Sequence, residues 1–197
     1  DFIEIDYVGK IKETGDVFDV TQAAAAKQYA VYNSKAHYHS QIICVGENHV
    51  VPGLDAAFIH KEEKKTFAVS LAPEEAFGKK DARLLQLVPL QTFHQQKITP
   101  FPGLQLNLNG TLGTVRTVSG GRVIVDFNHP LAGRNVIYEV TIQRVVTNDA
   151  EKLRGLLHVL FQQDVACSIK DGKAEIVLAL QPEMQKHLID HIKRLIP

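Results

Sequence analysis

The chain is organised around the stretch Val45-Gly-Glu-Asn-His-Val-Val-Pro-Gly-Leu-Asp-Ala-Ala-Phe-Ile-His60. Within it the apolar pair Val50-Val51 runs into Pro52-Gly53, a dipeptide that breaks the direction of the backbone. The apolar residues that follow recur at the i, i+3, i+4 spacing of one buried helical face: Leu54, Ala57 and Phe58. The stretch therefore predicts a short helix, opened by Pro-Gly, that packs as a lid or floor against a sheet.

The composition is that of an ordinary soluble globular protein, with 45% hydrophobic and 22% charged residues. The 197 residues are enough for one large domain or two small ones. The 22 basic and 22 acidic residues balance, and neither sign forms a long block, so neither nucleic acid nor a membrane is an expected partner. Apolar runs such as 176–180 are too short to span a bilayer.

Two distant cysteines, Cys44 and Cys167, lie in strand-like surroundings. They are compatible with one disulfide, but two buried free thiols of a cytosolic protein are the favoured interpretation. We therefore expect a cytoplasmic protein. No signal peptide is visible, although a chain that begins at Asp1 leaves a removed segment open.

Alternating and apolar segments predict a first sheet. Residues 2–20 have the pattern of a hairpin, and 41–45, 66–71 and 136–146 have the pattern of further strands. The alanine-rich segment 22–30 predicts an inserted helix or loop.

After Leu84 the pattern changes to short apolar runs separated by glycine-containing turns, which predicts a small all-β module. The runs are Leu84–Leu90, Gln105–Leu108, Leu112–Val118 and Arg122–Phe127.

The last fifty residues predict a helix, two strands and a second helix. Asn148 and Glu151 form a capping-box-like start, and Asp171-Gly172 is a hairpin turn signal. The first helix has an apolar face of Leu153, Leu156, Leu157 and Leu160, and the second has one of Met184, Leu188, Ile192 and Leu195. Because a two-stranded sheet is weak alone, we expect its open face to be buried against a neighbour or a second copy.

Several separate motifs carry a family resemblance: Tyr7, Phe18-Asp19, Val50-Val-Pro-Gly-Leu54, Ala76-Phe-Gly78 and Asp126-Phe-Asn-His-Pro-Leu-Ala-Gly133. In this order and spacing the chain resembles FKBP-type peptidyl-prolyl isomerases, most closely the SlyD-like branch and its long archaeal relatives. The likeness covers about residues 1–146.

The resemblance implies an α+β fold with three domains. Residues 1–83 plus 128–146 would form the FKBP domain, an antiparallel sheet wrapped on a short helix. Residues 84–127 would form the β insert, called the insert-in-flap domain, and 147–197 the α-β-β-α C-terminal domain. In the long archaeal forms that last domain is associated with dimerisation, so a homodimer is a further expectation.

The resemblance also implies a proline pocket. Its walls would be Tyr7, Phe18, Asp19, Val50, Val51, Leu54, Phe77 and Tyr138, with Leu131 and Ala132 at its edge. His129 lies near this pocket and either contacts substrate or caps a turn. Two positions depart from the family pattern. Leu54 stands at the floor position that is often tryptophan, and Phe77 stands where a tyrosine usually offers its hydroxyl to the substrate backbone.

The implied activity is peptidyl-prolyl cis-trans isomerisation with chaperone activity toward unfolded or proline-containing chains. Twisting an amide requires no nucleophile, metal or cofactor, and an apolar pocket favours the twisted bond. Asp19 would orient the Tyr7 hydroxyl. Exposed apolar residues of the insert would hold unfolded chain: Leu87, Phe93, Ile98, Phe101, Leu104 and Leu106. The alternative is a non-catalytic chaperone or assembly module, with Phe77 as the sign of a decayed site.

Histidines raise a metal alternative. Glu183, His187 and His191 share one stripe of the final helix, and two histidines at that spacing can chelate. A solvated helix face is the favoured interpretation, and His37-x-His39 is a weaker candidate because no further ligand accompanies it. We expect no metal site.

Overall fold

The computed structural model describes residues 1–59, 61–108, 110–170 and 172–196. The chain forms two compact units: Asp1–Ala76 with Asn135–Pro197, and Phe77–Arg134. Each is a mixture of antiparallel strands and short helices, which confirms the predicted α+β class and is compatible with an FKBP fold. No helix within the described ranges is long and apolar enough to cross a membrane.

The first unit is built on a five-stranded antiparallel sheet in the order β2-β1-β9-β4, with β3 also paired to β1. Its strands are β1 (Phe2–Ile11), β2 (Val17–Val20), β3 (Gln41–Cys44), β4 (Thr66–Leu71) and β9 (Val136–Val145). The hairpin predicted for residues 2–20 is confirmed. Side chains alternate between the faces of a strand, so one face is buried: Ile3, Ile5, Tyr7, Val136, Tyr138, Val140 and Ile142.

Two short helices interrupt these strands, α1 (Ala23–Gln28) and α2 (Pro52–Ala57). Pro52 occupies the first turn of α2, where its missing N–H is no loss. A methyl group added at Gly53 would lie 2.7 Å from Cδ2 of Leu71 and 2.8 Å from Cβ of Glu75. Glycine therefore lets α2 approach the end of β4 and the 3₁₀ turn Pro73–Glu75, and the predicted helix packed against the sheet is confirmed.

The same unit contains α4 (Asp149–Phe161), β10 (Cys167–Lys170), β11 (Lys173–Ile176) and α5 (Pro182–Leu195). The Asn148 side chain caps α4 by accepting a hydrogen bond from the Glu151 N–H. The core of this region combines residues of α4 and α5 with residues of the sheet and its ends: Phe2, Cys44, Val146, Leu153, Leu156, Leu157, Val165 and Ile192.

Some predictions for this region differ from the structure. Leu160 and Met184 are 43% and 53% exposed, so the predicted apolar helical faces were too wide. Both cysteines are free, as predicted, but Cys167 is only half-buried. Asp171 of the predicted turn and His60 of the opening stretch lie outside the described residues.

The second unit is a four-stranded antiparallel sheet in the order β5-β8-β7-β6. Its strands are β5 (Leu85–Pro89), β6 (Gln105–Leu108), β7 (Thr111–Ser119) and β8 (Arg122–Asp126). A helix, α3 (Leu90–Gln95), follows β5, so the prediction of an all-β module was wrong. Its Phe93 joins Val115, Val123 and Val125 in the core. The helix begins at Leu90, the last residue of a predicted apolar run, and its Phe93 side chain is buried in that core.

Candidate functional site

Three aromatic rings meet on the sheet of the first unit. The pairing of β1 with β9 brings Tyr7 and Tyr138 onto one face, with ring centroids 5.7 Å apart and an interplanar angle of 72°. Phe18, from β2, meets the same Tyr138 ring at 5.7 Å and 88°. Both contacts have the edge-to-face geometry that aromatic rings prefer. We call Tyr7, Phe18 and Tyr138 the aromatic cluster.

Gly9 makes room for the aromatic cluster and was not singled out from the sequence. It lies opposite Tyr138 on β9 and opposite Asp19 on β2. A methyl group at Gly9 would lie 2.7 Å from Cζ of Phe18 and 3.1 Å from Cε1 of Tyr138. Any larger residue would therefore displace one of the two rings. A glycine within an otherwise regular strand is a sequence signal of such close approach.

Asp19 joins the aromatic cluster through the Tyr7 hydroxyl, which donates a hydrogen bond of 2.8 Å to Oδ2 of Asp19. The other carboxylate oxygen accepts from the N–H of Val20 at 2.8 Å, so the carboxylate is held from two sides while Asp19 stays exposed. The predicted Tyr7–Asp19 contact is confirmed.

Burial raises the pKa of Tyr7, and the neighbouring Asp19 charge raises it further. Burial likewise raises the pKa of Tyr138, followed by the effect of Asp19. Both hydroxyls therefore stay protonated at neutral pH. The cluster therefore consists of three uncharged rings, with the Tyr7 hydroxyl already bonded to Asp19.

The two valines and Leu54 lie at the start of α2. Val50 and Val51 are half-buried, and Leu54 is only 1% exposed. The carbonyl of Val51 accepts from the N–H groups of Leu54 and Asp55, which fixes the direction of the chain where the helix begins.

Asp55, which the sequence analysis missed, fastens the chain ahead of these valines. Its carboxylate is 4% exposed and accepts from the N–H of Gly46 at 3.0 and 3.1 Å and from that of Asn48 at 2.9 Å. Residues 45–51, which we call the valine loop, are therefore tied to α2 by a buried carboxylate.

The remaining pocket candidates belong to the second unit. The rings of Phe77 and His129 stack in parallel with centroids 4.8 Å apart. Nδ1 of His129 accepts from the N–H of Leu131 at 3.2 Å, and its carbonyl accepts from Ala132 at 2.9 Å. Leu131 is half-buried and Ala132 is buried. His129 thus organises the turn 129–132 and covers the face of Phe77.

A second missed residue, Asp126, anchors this turn from the preceding strand. It is 3% exposed and accepts from Nε and Nη2 of Arg116 at 3.0 and 2.8 Å. It also accepts from the N–H and the side-chain amide of Asn128 at 3.0 and 2.8 Å. Asn128 in turn pairs with both backbone groups of Asp81. Burial alone would raise the pKa of Asp126, but the bonds from Asn128 and Arg116 lower it to about 2.

The apolar residues predicted to hold unfolded chain fall into three groups. Leu87 and Phe101 are each 57% exposed. Ile98, Leu104 and Leu106 are partly buried against the core of the second unit, and Phe93 is 1% exposed. The prediction that Phe93 lies at the surface was therefore wrong. Leu85 and Leu112, which were not predicted, are exposed instead.

In the histidine stripe of α5, His191 contacts an arginine of the same helix. Nη2 of Arg194 lies 3.1 Å from Nδ1 of His191. Across the described ranges, no group of three or more His, Cys, Asp or Glu side chains is arranged to hold a metal ion.

Comparisons with known proteins find similarity to FKBP-type peptidyl-prolyl cis-trans isomerases. A family model described as the FKBP26 IF domain matches residues 86–131. A short-type peptidyl-prolyl cis-trans isomerase of Methanocaldococcus jannaschii is 26% identical over 151 residues, covering 77% of this chain and 95% of the relative.

SlyD proteins, named as FKBP-type peptidyl-prolyl cis-trans isomerases, give further matches. The protein of Treponema pallidum is 27% identical over 155 residues, covering 74% of this chain and 76% of the relative. That of Aeromonas hydrophila is 34% identical over 110 residues, covering 55% and 52%. The similarity thus extends over both compact units. The family resemblance seen in the sequence is confirmed: the chain is an FKBP/SlyD-like protein.

Proposed function

We propose that this protein is a peptidyl-prolyl cis-trans isomerase that uses the aromatic cluster to bind proline and also holds unfolded chains. The observation that carries the proposal is the position of Tyr138, which contacts Tyr7 and Phe18 while the Tyr7 hydroxyl is fixed by Asp19. The names of the matching relatives support the same activity.

The reaction needs the amide to twist. A planar prolyl amide is stabilised by conjugation, and its isomerisation takes tens to hundreds of seconds without a catalyst. The twisted bond has lost part of its charge separation, so a water-poor, apolar pocket favours it over the planar form. A ten-thousand-fold acceleration requires about 5.5 kcal/mol of such preference. No bond to carbon or hydrogen is broken, and no residue acts as a nucleophile or base.

Burial and hydrogen bonding support the proposed roles. The three rings surround the pyrrolidine, and Val50, Val51 and Leu54 complete the wall and the floor. Asp19 holds the Tyr7 hydroxyl in one orientation, so the ring edge that faces the substrate is fixed before binding. Phe77, in the second unit, is an apolar residue at the position where the family usually has a tyrosine hydroxyl.

A protease-coupled assay on a proline-containing tetrapeptide tests this role. Wild type should accelerate isomerisation, and Tyr138→Ala should lose at least tenfold in kcat/KM because both edge contacts disappear. Phe18→Leu, at a half-buried position, provides a second variant if Tyr138→Ala unfolds. Tyr32→Ala removes an exposed tyrosine of the 22–40 segment and is the matched control. Equal rates for wild type, Tyr138→Ala and Phe18→Leu would refute the proposed pocket.

The second unit is proposed to act as the insert-in-flap chaperone domain. Support comes from the family match to residues 86–131 and from the exposed side chains of Leu87 and Phe101. A tethered holding surface raises the local concentration of chain without adding a contact in the pocket. Removing residues 84–127 should therefore reduce activity on an unfolded protein far more than on a tetrapeptide.

A point variant tests the holding role with less disturbance. Leu87→Ser combined with Phe101→Ser should reduce suppression of aggregation of a reduced, unfolded protein and leave the tetrapeptide rate unchanged. Leu112→Ser, at another exposed position of the unit, is the control. Parallel losses in both assays would argue against a separate holding surface.

The alternative is a non-catalytic chaperone, favoured by one observation: Phe77 lacks the usual hydroxyl. Wild-type turnover of the tetrapeptide separates the two functions. Absence of turnover, together with retained suppression of aggregation, would establish the alternative.

Homodimerisation through residues 147–197 and a cytoplasmic location are also proposed. Exposed apolar side chains of this region, Val177, Met184 and Ile189, support a second copy as partner. A monomer mass by light scattering would count against it. The free thiols of Cys44 and Cys167 suit a reducing compartment.

A further inference from the structure

Side-chain hydrogen bonds hold the valine loop to α2 through Asp55 and to β3 through His49. Gly46 and Asn48 have φ values of +89° and +54°, in the left-handed region, and both N–H groups bind the Asp55 carboxylate. Nδ1 of His49 accepts from the N–H of Cys44 at 3.1 Å, closing the loop back on β3. Burial lowers the pKa of His49, which keeps its ring neutral and able to accept this bond.

The residue between the two Asp55-bound amides is Glu47, and its side chain contacts α5. Nη1 and Nη2 of Arg194 donate to Oε1 and Oε2 of Glu47 at 2.9 and 2.6 Å. This is a bidentate Arg–carboxylate pair, a geometry that fixes the relative orientation of the two side chains as well as stabilising their contact. The Glu47 side chain is only 19% exposed, and the bonds from Arg194 lower its pKa, so the pair persists below neutral pH.

Arg194 itself is carried by a fixed helix. It belongs to the last turn of α5, whose Ile192 is buried in the core with Phe2 and Cys44. Leu188 and Leu195 pack against the same core. The position of the guanidinium is therefore set by the C-terminal region.

We propose that Arg194 is a positioning residue for the proline pocket: through Glu47 it braces the valine loop, and so the C-terminal helix sets where Val50 and Val51 stand. This inference rests on the proposed isomerase function. Displacement of Glu47 moves Gly46 and Asn48, which share Asp55, and Asp55 follows the floor residue Leu54 directly in α2. The wall and the floor of the pocket thus respond together to a contact made by the last helix of the chain.

The test uses the full-length chain with methyl-labelled valine and leucine, so that the wall is observed without substrate. Arg194→Ala should shift the methyl resonances of Val50, Val51 and Leu54 and lower kcat/KM on the tetrapeptide about threefold to tenfold. Arg144→Ala is the matched control, because Arg144 joins Glu4 of β1 to Glu151 of α4 and does not touch the loop. The exchanged double variant Glu47→Arg with Arg194→Glu should restore most of the wild-type resonances and rate.

Each outcome decides the proposal. Methyl resonances in Arg194→Ala that match those of Arg144→Ala would overturn it, and so would shifted resonances with an unchanged rate. Failure of the exchanged pair to restore either readout, in a variant that melts at the wild-type temperature, would also overturn it. A wild type without turnover would refute the isomerase function instead, and the methyl resonances would still decide whether α5 braces the loop.

Discussion

The Tyr7 hydroxyl and Oδ2 of Asp19 are 2.8 Å apart and connect the first two strands of the sheet on the side that carries the aromatic cluster. Tyr7 is buried and Asp19 is exposed, so the bond lies at the boundary between core and solvent. Its main effect is orientation, since an exposed carboxylate is also satisfied by water.

Tyr7→Phe should therefore have a small effect on stability and a measurable one on activity. We expect the free energy of unfolding to fall by about 0.5–1.5 kcal/mol, the usual net value of one hydrogen bond. We expect the rate of tetrapeptide isomerisation to fall severalfold, because the ring at position 7 is no longer held in one orientation against Tyr138. Denaturant titration and the coupled assay measure the two effects. Asp19→Asn, which keeps an acceptor at the same place, is the control and should retain most of the rate.

Gly9→Ala should also reduce activity more than stability. The added methyl overlaps the far edge of the Phe18 ring at 2.7 Å, and this half-buried ring can rotate away toward solvent. The fold should therefore survive, with a loss of at most about 1–2 kcal/mol. Isomerase activity should fall at least as much as in Phe18→Leu. A wild-type rate in Gly9→Ala would show that the position of Phe18 does not matter for turnover.

Gly155→Ala tests the close packing of α4 against Ile42 of β3. Alanine in a helix interior is favoured over glycine by about 1 kcal/mol. However, its Cβ would lie 2.5 Å from Cβ of Ile42 and 3.0 Å from the Ile42 carbonyl oxygen. Both contacts involve atoms that a rotamer change cannot move, so we expect the clash to win and the free energy of unfolding to fall by about 1–3 kcal/mol. A raised melting temperature, read by circular dichroism, would mean that helical propensity outweighs the clash.

Asp126→Asn should remove a pH-dependent part of the stability of the second unit. The folded pKa of Asp126, about 2, is below its unfolded value, so its carboxylate stabilises the fold fully above about pH 5 and loses this effect as the pH falls toward 2. At pH 7 the variant should be less stable by about 1–3 kcal/mol. Unfolding followed at pH 7 and pH 3 should show the gap between wild type and variant shrinking in acid. A gap of constant size would rule out the carboxylate charge as its cause.

Much of the first unit follows from local patterns. The alternation of Ile3, Ile5 and Tyr7 predicts their shared buried face, and Pro52-Gly53 predicts both the start of α2 and its close packing. These signals are local because the period of a strand and the capping of a helix depend on neighbouring residues. The Phe18-Asp19 pair was recognised through its family pattern, and its contact with Tyr7 was then confirmed.

The missed residues share a different property: their role is set by partners outside their own helix or strand. Asp55 is an ordinary acidic residue of a helix until two left-handed loop residues direct their N–H groups at it. Phe93 was expected at the surface because the polar residues on either side of it do not show that its side chain fills the core. Gly9 and Arg194 likewise depend on rings and loops that no local pattern describes.

The pairing of β1 with β9 also limits the order in which parts of the protein can fold during synthesis. The second unit is one continuous segment, 77–134, whose strand partners are all available once Asp126 has emerged. Ile3 and Tyr7 must wait for Val145 and Val140, which are synthesised only after that segment. The inserted unit can therefore fold before β1 has gained its partner β9. A nascent chain that has just completed this segment would therefore contain a folded second unit and a β1 strand that has its partners β2 and β3 but still lacks β9.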